Sequence, residues 1–166
     1  RNINAPVNGV RPNPEFGNIT QVESTARSQA HMLHTGLNFN LPWHRTTLFL
    51  NYTFGQVMND SDGPFSLPAD NSNLAAEWGP SANDVRHRVS GMMNMDLWKG
   101  FKIATNFSAS SASPFSITTG FDDNGDTVSN DRPAGVGRNS ARGAGRWDVG
   151  GRLSWTFGFG ERKTAG

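Results

Sequence analysis

The sequence predicts an all-β fold, a long-stranded antiparallel sheet forming part of a transmembrane β-barrel with five to six strands present. Three observations carry this expectation. Runs of about ten to fourteen residues alternate between a mostly apolar and a polar face with a period of two, well beyond the roughly five or six residues of an ordinary strand. Short and long connections alternate between the runs. Mean hydropathy is only −0.54, as expected when every second strand residue faces a wet lumen.

The chain opens on a loop segment, 1–17, in which Pro6, Pro12 and Pro14 alternate with Asn2, Asn4, Asn8 and Asn13 without periodicity. Ile19, Gln21 and Glu23 against Thr20, Val22 and Ser24 predict a short strand over 18–24. From Gln29 the pattern sharpens: His31, Leu33, Thr35, Leu37, Phe39 and Leu41 share one face, and Met32, His34, Gly36, Asn38 and Asn40 the other. After the tight connection Leu41-Pro42-Trp43-His44, Thr46, Leu48, Leu50, Tyr52 and Phe54 face away from Thr47, Phe49, Asn51, Thr53 and Gly55. These two runs make one hairpin.

A long stretch rich in Asn, Asp, Ser, Gly and Pro follows, 57–83, which a compact domain retains only for function. Asp84 to Ser111 then reads as a second hairpin. Val85, His87, Val89, Gly91, Met93, Met95 and Leu97 oppose Arg86, Arg88, Ser90, Met92, Asn94 and Asp96. Past Trp98-Lys99-Gly100, Phe101, Ile103, Thr105, Phe107 and Ala109 oppose Lys102, Ala104, Asn106 and Ser108. Both turns carry a Trp, as an interfacial aromatic belt requires. A second long loop spans 113–146, with Pro114 to Thr119 a candidate continuation of the strand before it. Trp147, Val149, Gly151, Leu153, Trp155, Phe157 and Phe159 define the last strand, and 161–166 is a tail or the start of the next turn. The domain reading is therefore a partial antiparallel barrel over 18–160. Tight turns at one end and extended loops at the other are the asymmetry of an outer-membrane barrel.

Other classes fit less well. No run approaches the roughly 18 apolar residues of a spanning helix. The net charge of +1 gives no reason to expect nucleic acid. Zero cysteines remove disulfide scaffolds and thiol chemistry. With no initiator Met or leader, and with fewer strands than the roughly eight that close a membrane barrel, the chain reads as a piece of a longer polypeptide.

Specific stretches resemble a known family. Ser113-Pro114-Phe115-Ser116-Ile117-Thr118-Thr119-Gly120, then Asp122-Asp123-Asn124-Gly125-Asp126-Thr127 and Asn130-Asp131-Arg132-Pro133-Ala134, occur with Ala76-Glu77-Trp78-Gly79 before Asp84-Val85-Arg86-His87-Arg88 and the ending Trp155-Thr156-Phe157-Gly158-Phe159-Gly160. In order and spacing they resemble the C-terminal barrel segment of Oar-like TonB-dependent outer-membrane transporters. The resemblance implies a parent barrel of about 22 strands, plugged by a separate domain on which TonB acts, importing or exporting a bulky ligand. It implies no substrate-contacting residue.

Read by themselves, the residues offer few chemical sites. Asp122, Asn124, Asp126, Asn130 and Asp131 place carboxylate and amide oxygens at near-alternate positions around Gly125, which suits Ca²⁺. The order departs from an EF-hand, and the competing reading is an Asx-rich turn that satisfies its own backbone. Arg138, Arg142 and Arg146 recur at a spacing of four among glycines, offering phosphate, lipopolysaccharide or RNA contacts, or, as the small net charge favours, a mobile basic loop offsetting nearby Asp residues. His31 and His34 point to opposite faces of a strand, which argues against zinc. Arg86, Arg88, Asp96 and Asp148 are expected to form lumenal ion pairs. No catalytic spacing appears, so an enzyme is not expected. The partners expected are outer-membrane lipid with the remaining strands and plug of a transporter. The alternative is copies of the chain itself, in a self-assembling extracellular ring, tube or fibre with calcium at subunit contacts.

Overall fold

The computed structural model describes residues 1–7 and 9–158. These residues divide into two compact units: Arg1–Leu33, Phe54–Arg86 and Ser111–Gly145 make a loop unit, and His34–Thr53, His87–Ser110 and 146–158 a strand unit.

Five long antiparallel strands appear where period two predicts them: β1 (Ser28–Leu41), β2 (Thr46–Asn59), β4 (His87–Asp96), β5 (Phe101–Ser110) and β8 (Arg146–Trp155). Three two-residue pieces accompany them: β3 (Gly79–Pro80), which pairs with β2, and β6 (Pro114–Phe115), which pairs with β7 (Ala141–Arg142). The long strands follow one another in space as β1-β2-β4-β5-β8, a meander whose edges are β1 and β8 among the described residues.

Register keeps the two faces distinct. Across β4 and β5, Val89 stands opposite Ala109, Gly91 opposite Phe107 and Met95 opposite Ile103. Across β5 and β8, Phe101 meets Trp155, Ile103 meets Leu153 and Phe107 meets Val149. Apart from Met92 opposite Asn106, the intervening pairs are polar or small, including Asp96 with Lys102, Ser108 with Asp148 and Ala104 with Arg152. A slip of one residue would mix the faces, so alternation specifies the pairing. Gly91 makes room for the Phe107 ring, which a Cβ at that position would strike.

The tight turns close as expected. Phe101 N–H donates to Trp98 O (3.2 Å) and Leu97 N–H to Phe101 O (2.8 Å). Lys99 and Gly100 between them have φ of 53° and 81°, the pair of positive values that matches a two-residue hairpin loop to strand twist. The other turn is a short 3₁₀ segment, Trp43–Arg45, with His44 and Arg45 also at positive φ. Aromatic rings gather at both ends of β8. Trp155 stacks on Phe101 at 5.5 Å and lies 4.8 Å from Phe157, while Trp147 at the other end is 77% exposed. Eight residue steps at about 3.3 Å separate the two tryptophans, or roughly 20 Å of height for a strand tilted by about 40°.

Several expectations are corrected. The stretch 18–24 forms no strand and retains only an isolated bridge between Asn2 and Thr20: Ile19 and Gln21 pair with the main chain of Ile3 and Arg1, Ile19 N–H donates to Asn2 Oδ1 (3.1 Å), and the pairing goes no farther. The first strand of the second hairpin begins at His87, not Val85. Pro114 to Thr119 does not continue β5; its first two residues turn to pair with β7. The first long loop starts after Asn59, since β2 runs farther than 57. Phe159, Gly160 and the 161–166 tail lie outside the described residues. No described helix is long and apolar enough to cross a membrane, which leaves crossing by strands open.

Candidate ligand-capture site

The loop unit is held by buried polar groups. Asp84 is fully buried. Its Oδ1 accepts from Val57 N–H (2.7 Å), and its Oδ2 accepts from Arg86 Nε (2.8 Å) and from Arg142. Burial alone would push this carboxyl up, but the two guanidinium groups and the Val57 amide outweigh it and hold it below 3.8.

A second network surrounds Arg138, which is 6% exposed. It donates to Asn59 Oδ1 (2.7 Å), Asn59 O (2.9 Å) and Glu77 O (3.3 Å), and pairs with Asp62. Gly79 packs its Cα against the Arg138 main chain, where a Cβ would collide with the carbonyl oxygen. Glu77 in turn accepts a forked pair of hydrogen bonds from Arg132 (2.8 and 3.1 Å) and one from Ala69 N–H (3.0 Å). Asp62 resists the upward push of burial through Asn59, Ala82 N–H and Arg138, and also lies below 3.8.

Asparagine side chains replace regular ladders elsewhere. Asn4 is fully buried; its amide donates to the carbonyls of Asn13, Phe16 and Gly17 at 2.8 to 3.0 Å, and its oxygen accepts from Asn13 N–H at 2.7 Å. One residue thereby closes the opening loop. Neither Asn4 nor Asp84 stood out in the sequence; the available signal was the density of Asn and Asp in stretches without periodicity.

The residues expected to hold Ca²⁺ come together, with their oxygens engaged in the fold. Asp122 accepts from Asp126 N–H (2.9 Å) and Thr127 N–H (2.8 Å), Asn124 Oδ1 from Asp126 N–H (2.9 Å), and Asp131 from Asp123 N–H (2.7 Å) and Asn124 N–H (3.1 Å). Asp126 accepts from Val128 N–H (2.9 Å) and Asn71 Nδ2 (2.7 Å). Asn130 donates to Pro68 O (3.1 Å), and its own oxygen is buried without a hydrogen-bond partner. Burial, then the neighbouring Asp122 and Asp131 charges, raise the Asp126 carboxyl above 3.8 despite its hydrogen bonds. Among the described residues no group of three or more His, Asp or Glu is arranged to hold a metal ion.

The spaced arginines separate. Arg138 and Arg142 neutralise Asp62, Glu77 and Asp84, acids of the preceding long loop, not the Asp residues nearest in sequence. Arg146 is the first residue of β8. The expected lumenal pairs also rearrange: Asp96 pairs with Lys102 (3.2 Å), and Arg86 with Asp84. His34 contacts Thr53 (3.0 Å) and His87 contacts Tyr52 (2.8 Å). A cavity of about 680 Å³ opens within the loop unit, lined by the 21–27 stretch, parts of 60–68, and Leu74, Ala75 and Glu77. Pockets of this size take small organic ligands or short chains.

Comparison with known proteins places these features. A family model described as an outer membrane beta barrel domain matches residues 2–158. No curated protein and no solved structure matches the chain.

Proposed function

Since the chain belongs to the outer membrane beta barrel domain family and is a protein of the outer membrane, we propose that its long strands form part of the wall of a TonB-dependent transporter-like barrel. Its folded loops capture a bulky ligand for passage across that membrane. The observation that carries this reading is the organisation of both long connections. They are not slack linkers but one compact unit with buried ion pairs and a ligand-sized cavity. A pore that merely leaks small solutes has little use for such a unit. The order and spacing of Ala76-Glu77-Trp78-Gly79 and of Asn130-Asp131-Arg132-Pro133 support the Oar-like version of the reading.

In this mechanism ligand binding to the loops precedes movement of a plug by TonB. The chain itself contributes surface and shape, not catalysis. Its apolar strand face meets lipid, and the remaining strands of the barrel pair with β1 and β8, because open edges are not tolerated in hydrocarbon. The competing self-assembly reading draws on those same open edges, with copies of the chain completing the sheet.

The test is the full-length protein in planar bilayers and in pull-down with the periplasmic domain of TonB. We expect a closed barrel with no steady conductance and a specific TonB complex. A permanently open channel without TonB binding would replace the transporter with a porin. Ordered polymers forming in water without detergent would favour self-assembly.

A further inference from the structure

The chemistry of the loop-unit cavity narrows the class of ligand. One wall is the 21–27 stretch, clamped at both ends. Gln21 exchanges main-chain hydrogen bonds with Arg1 (2.8 and 2.9 Å), and Arg27 exchanges them with Asp60, through the carboxylate (2.8 Å) and through the main chain (3.2 Å). Between the clamps, Val22, Glu23, Ser24, Thr25 and Ala26 use none of their main-chain N–H or C=O groups in hydrogen bonds among the described residues. Apart from a bend at Ser24 the stretch has no regular structure of its own. Main-chain groups in this condition are strong, unspent hydrogen-bonding capacity beside a cavity.

The other lining groups argue against a charged or ring-shaped ligand. The charges at the cavity are matched within the protein: Glu23 by Arg1 (2.9 Å), Asp60 by Arg27 (3.6 Å) and Glu77 by Arg132 (2.8 Å). A phosphate, carboxylate or ammonium ligand would find no uncompensated side-chain partner among these acids. Among the described residues no aromatic side chain lines the cavity, so a sugar or planar ring lacks a platform to stack on. What remains is mixed: Val22, Leu67 and Leu74 are exposed there with Pro64 beside them, among the uncharged polar side chains of Gln21, Ser24, Thr25, Ser61 and Ser66.

We propose that this cavity binds a short uncharged peptide in extended conformation, whose main chain pairs with Val22–Ala26 as an added strand and whose apolar side chains lie toward Leu67 and Leu74. Strand addition takes its affinity from main-chain hydrogen bonds and its selectivity from pockets for alternate side chains. Five residues of extended chain span about 17 Å, enough to seat a peptide of four or five residues. The inference rests on the ligand-capture reading above and names the ligand class for it.

The test is equilibrium dialysis of the full-length protein in detergent micelles against tritiated acetyl-Leu-Ala-Leu-Ala-Leu-amide. The comparison probes are the same peptide N-methylated at alternate amides and maltopentaose. Saturable binding of the first peptide is expected, weakened roughly tenfold by N-methylation, since each lost hydrogen bond removes a factor of several in affinity. Thr25→Pro, which deletes one wall N–H, should weaken the unmodified peptide several-fold. Leu74→Asp should weaken it further. Equal binding of the two peptides, no saturable binding, or preference for maltopentaose would overturn the proposal. Should Thr25→Pro fail to fold, the N-methylated probe decides. Peptide binding by a protein that does not engage TonB would sink the transporter reading and leave the site standing. A TonB-coupled protein indifferent to peptide would do the reverse.

Discussion

In the loop unit the polar groups withdrawn from solvent are Asn2, Asn4, Asn59, Glu77, Ser81, Asp84, Asp126, Asp131, Arg138 and Asn139, against only Pro68, Ala69 and Pro114 as apolar side chains buried among the described residues. In the strand unit the apolar residues Trp147, Val149 and Leu153 are each more than 60% exposed. A soluble domain reverses this arrangement, since exposed contiguous apolar surface in water is unfavourable by about 25 cal/mol per Å². The difference shows that each region is folded for its own solvent. The strand unit pairs its backbone in ladders between its edges and presents an apolar face, which in the proposed barrel meets lipid. The loop unit, short of apolar residues, is closed by ion pairs and Asx hydrogen bonds. It carries eleven of the 14 acidic residues and seven of the 15 Lys and Arg, so each buried arginine that neutralises two acids matters disproportionately.

This contrast can be broken from either side. The largest effect is expected from Asp84→Ala, which leaves Arg86 and Arg142 facing an emptied buried site. Loss of one partner from a buried pair costs about 3–5 kcal/mol, measurable as lowered hydrogen-exchange protection across 57–86 and 138–142 with the strands still protected. Leu153→Arg attacks the strand unit instead. A charge on the lipid face should cost about 2–4 kcal/mol in refolding into phospholipid vesicles, whereas Arg152→Leu on the opposite face should cost far less. Equal costs for the two would reverse the assignment of the faces.

Acid sharpens the comparison within the loop unit. Asp62 and Asp84 are held below 3.8 in the fold, so the stability they contribute is present above pH 3.8 and is lost as pH falls through their lower folded values. Asp126 is raised above 3.8; it binds its proton more tightly folded than unfolded, so its surroundings lose stability as pH rises from 3.8 through the raised value. Hydrogen exchange followed downward from neutral pH should therefore show the 122–131 loop tightening before the Asp84 network opens. A monotonic loosening of both would contradict these pairings.

Smaller effects are expected at the turn and at the acidic loop. Lys99→Gly removes a side chain from a positive-φ position and should stabilise the β4–β5 hairpin by about 1 kcal/mol in urea unfolding. Chelation of calcium should leave the 122–131 loop unchanged, because main-chain N–H groups already occupy oxygens of Asp122, Asn124, Asp126 and Asp131; a lowered melting temperature on chelation would support the calcium reading.

The long strands were legible in the sequence because period two is a local property. Phe101, Ile103 and Phe107 declare a shared face without reference to any other segment, and matching apolar with apolar across Leu153 and Val149 then specifies register. The turns were legible as short connections, although nothing local announced that His44, Arg45 and Lys99 adopt positive φ. The interior of the loop unit was not legible. Arg138 meets Asp62 from 76 residues away, and Asn71 meets Asp126 from 55. Asn, Asp and Arg in an aperiodic stretch have many candidate partners of similar chemistry, so composition limits the kind of bond without choosing its partner.

The sequence by itself therefore determined the architecture of the wall: all-β, antiparallel, long-stranded, two-faced, with tight turns and long loops in alternation. Those features follow from steric rules that act between neighbouring residues. Only the tertiary structure decided that the two long loops share one polar interior, that Asp84 and Arg138 lie buried there, and that the 22–26 stretch borders a cavity with its main chain unspent. Those outcomes depend on which distant groups desolvate together, a choice made by the free energy of the whole unit.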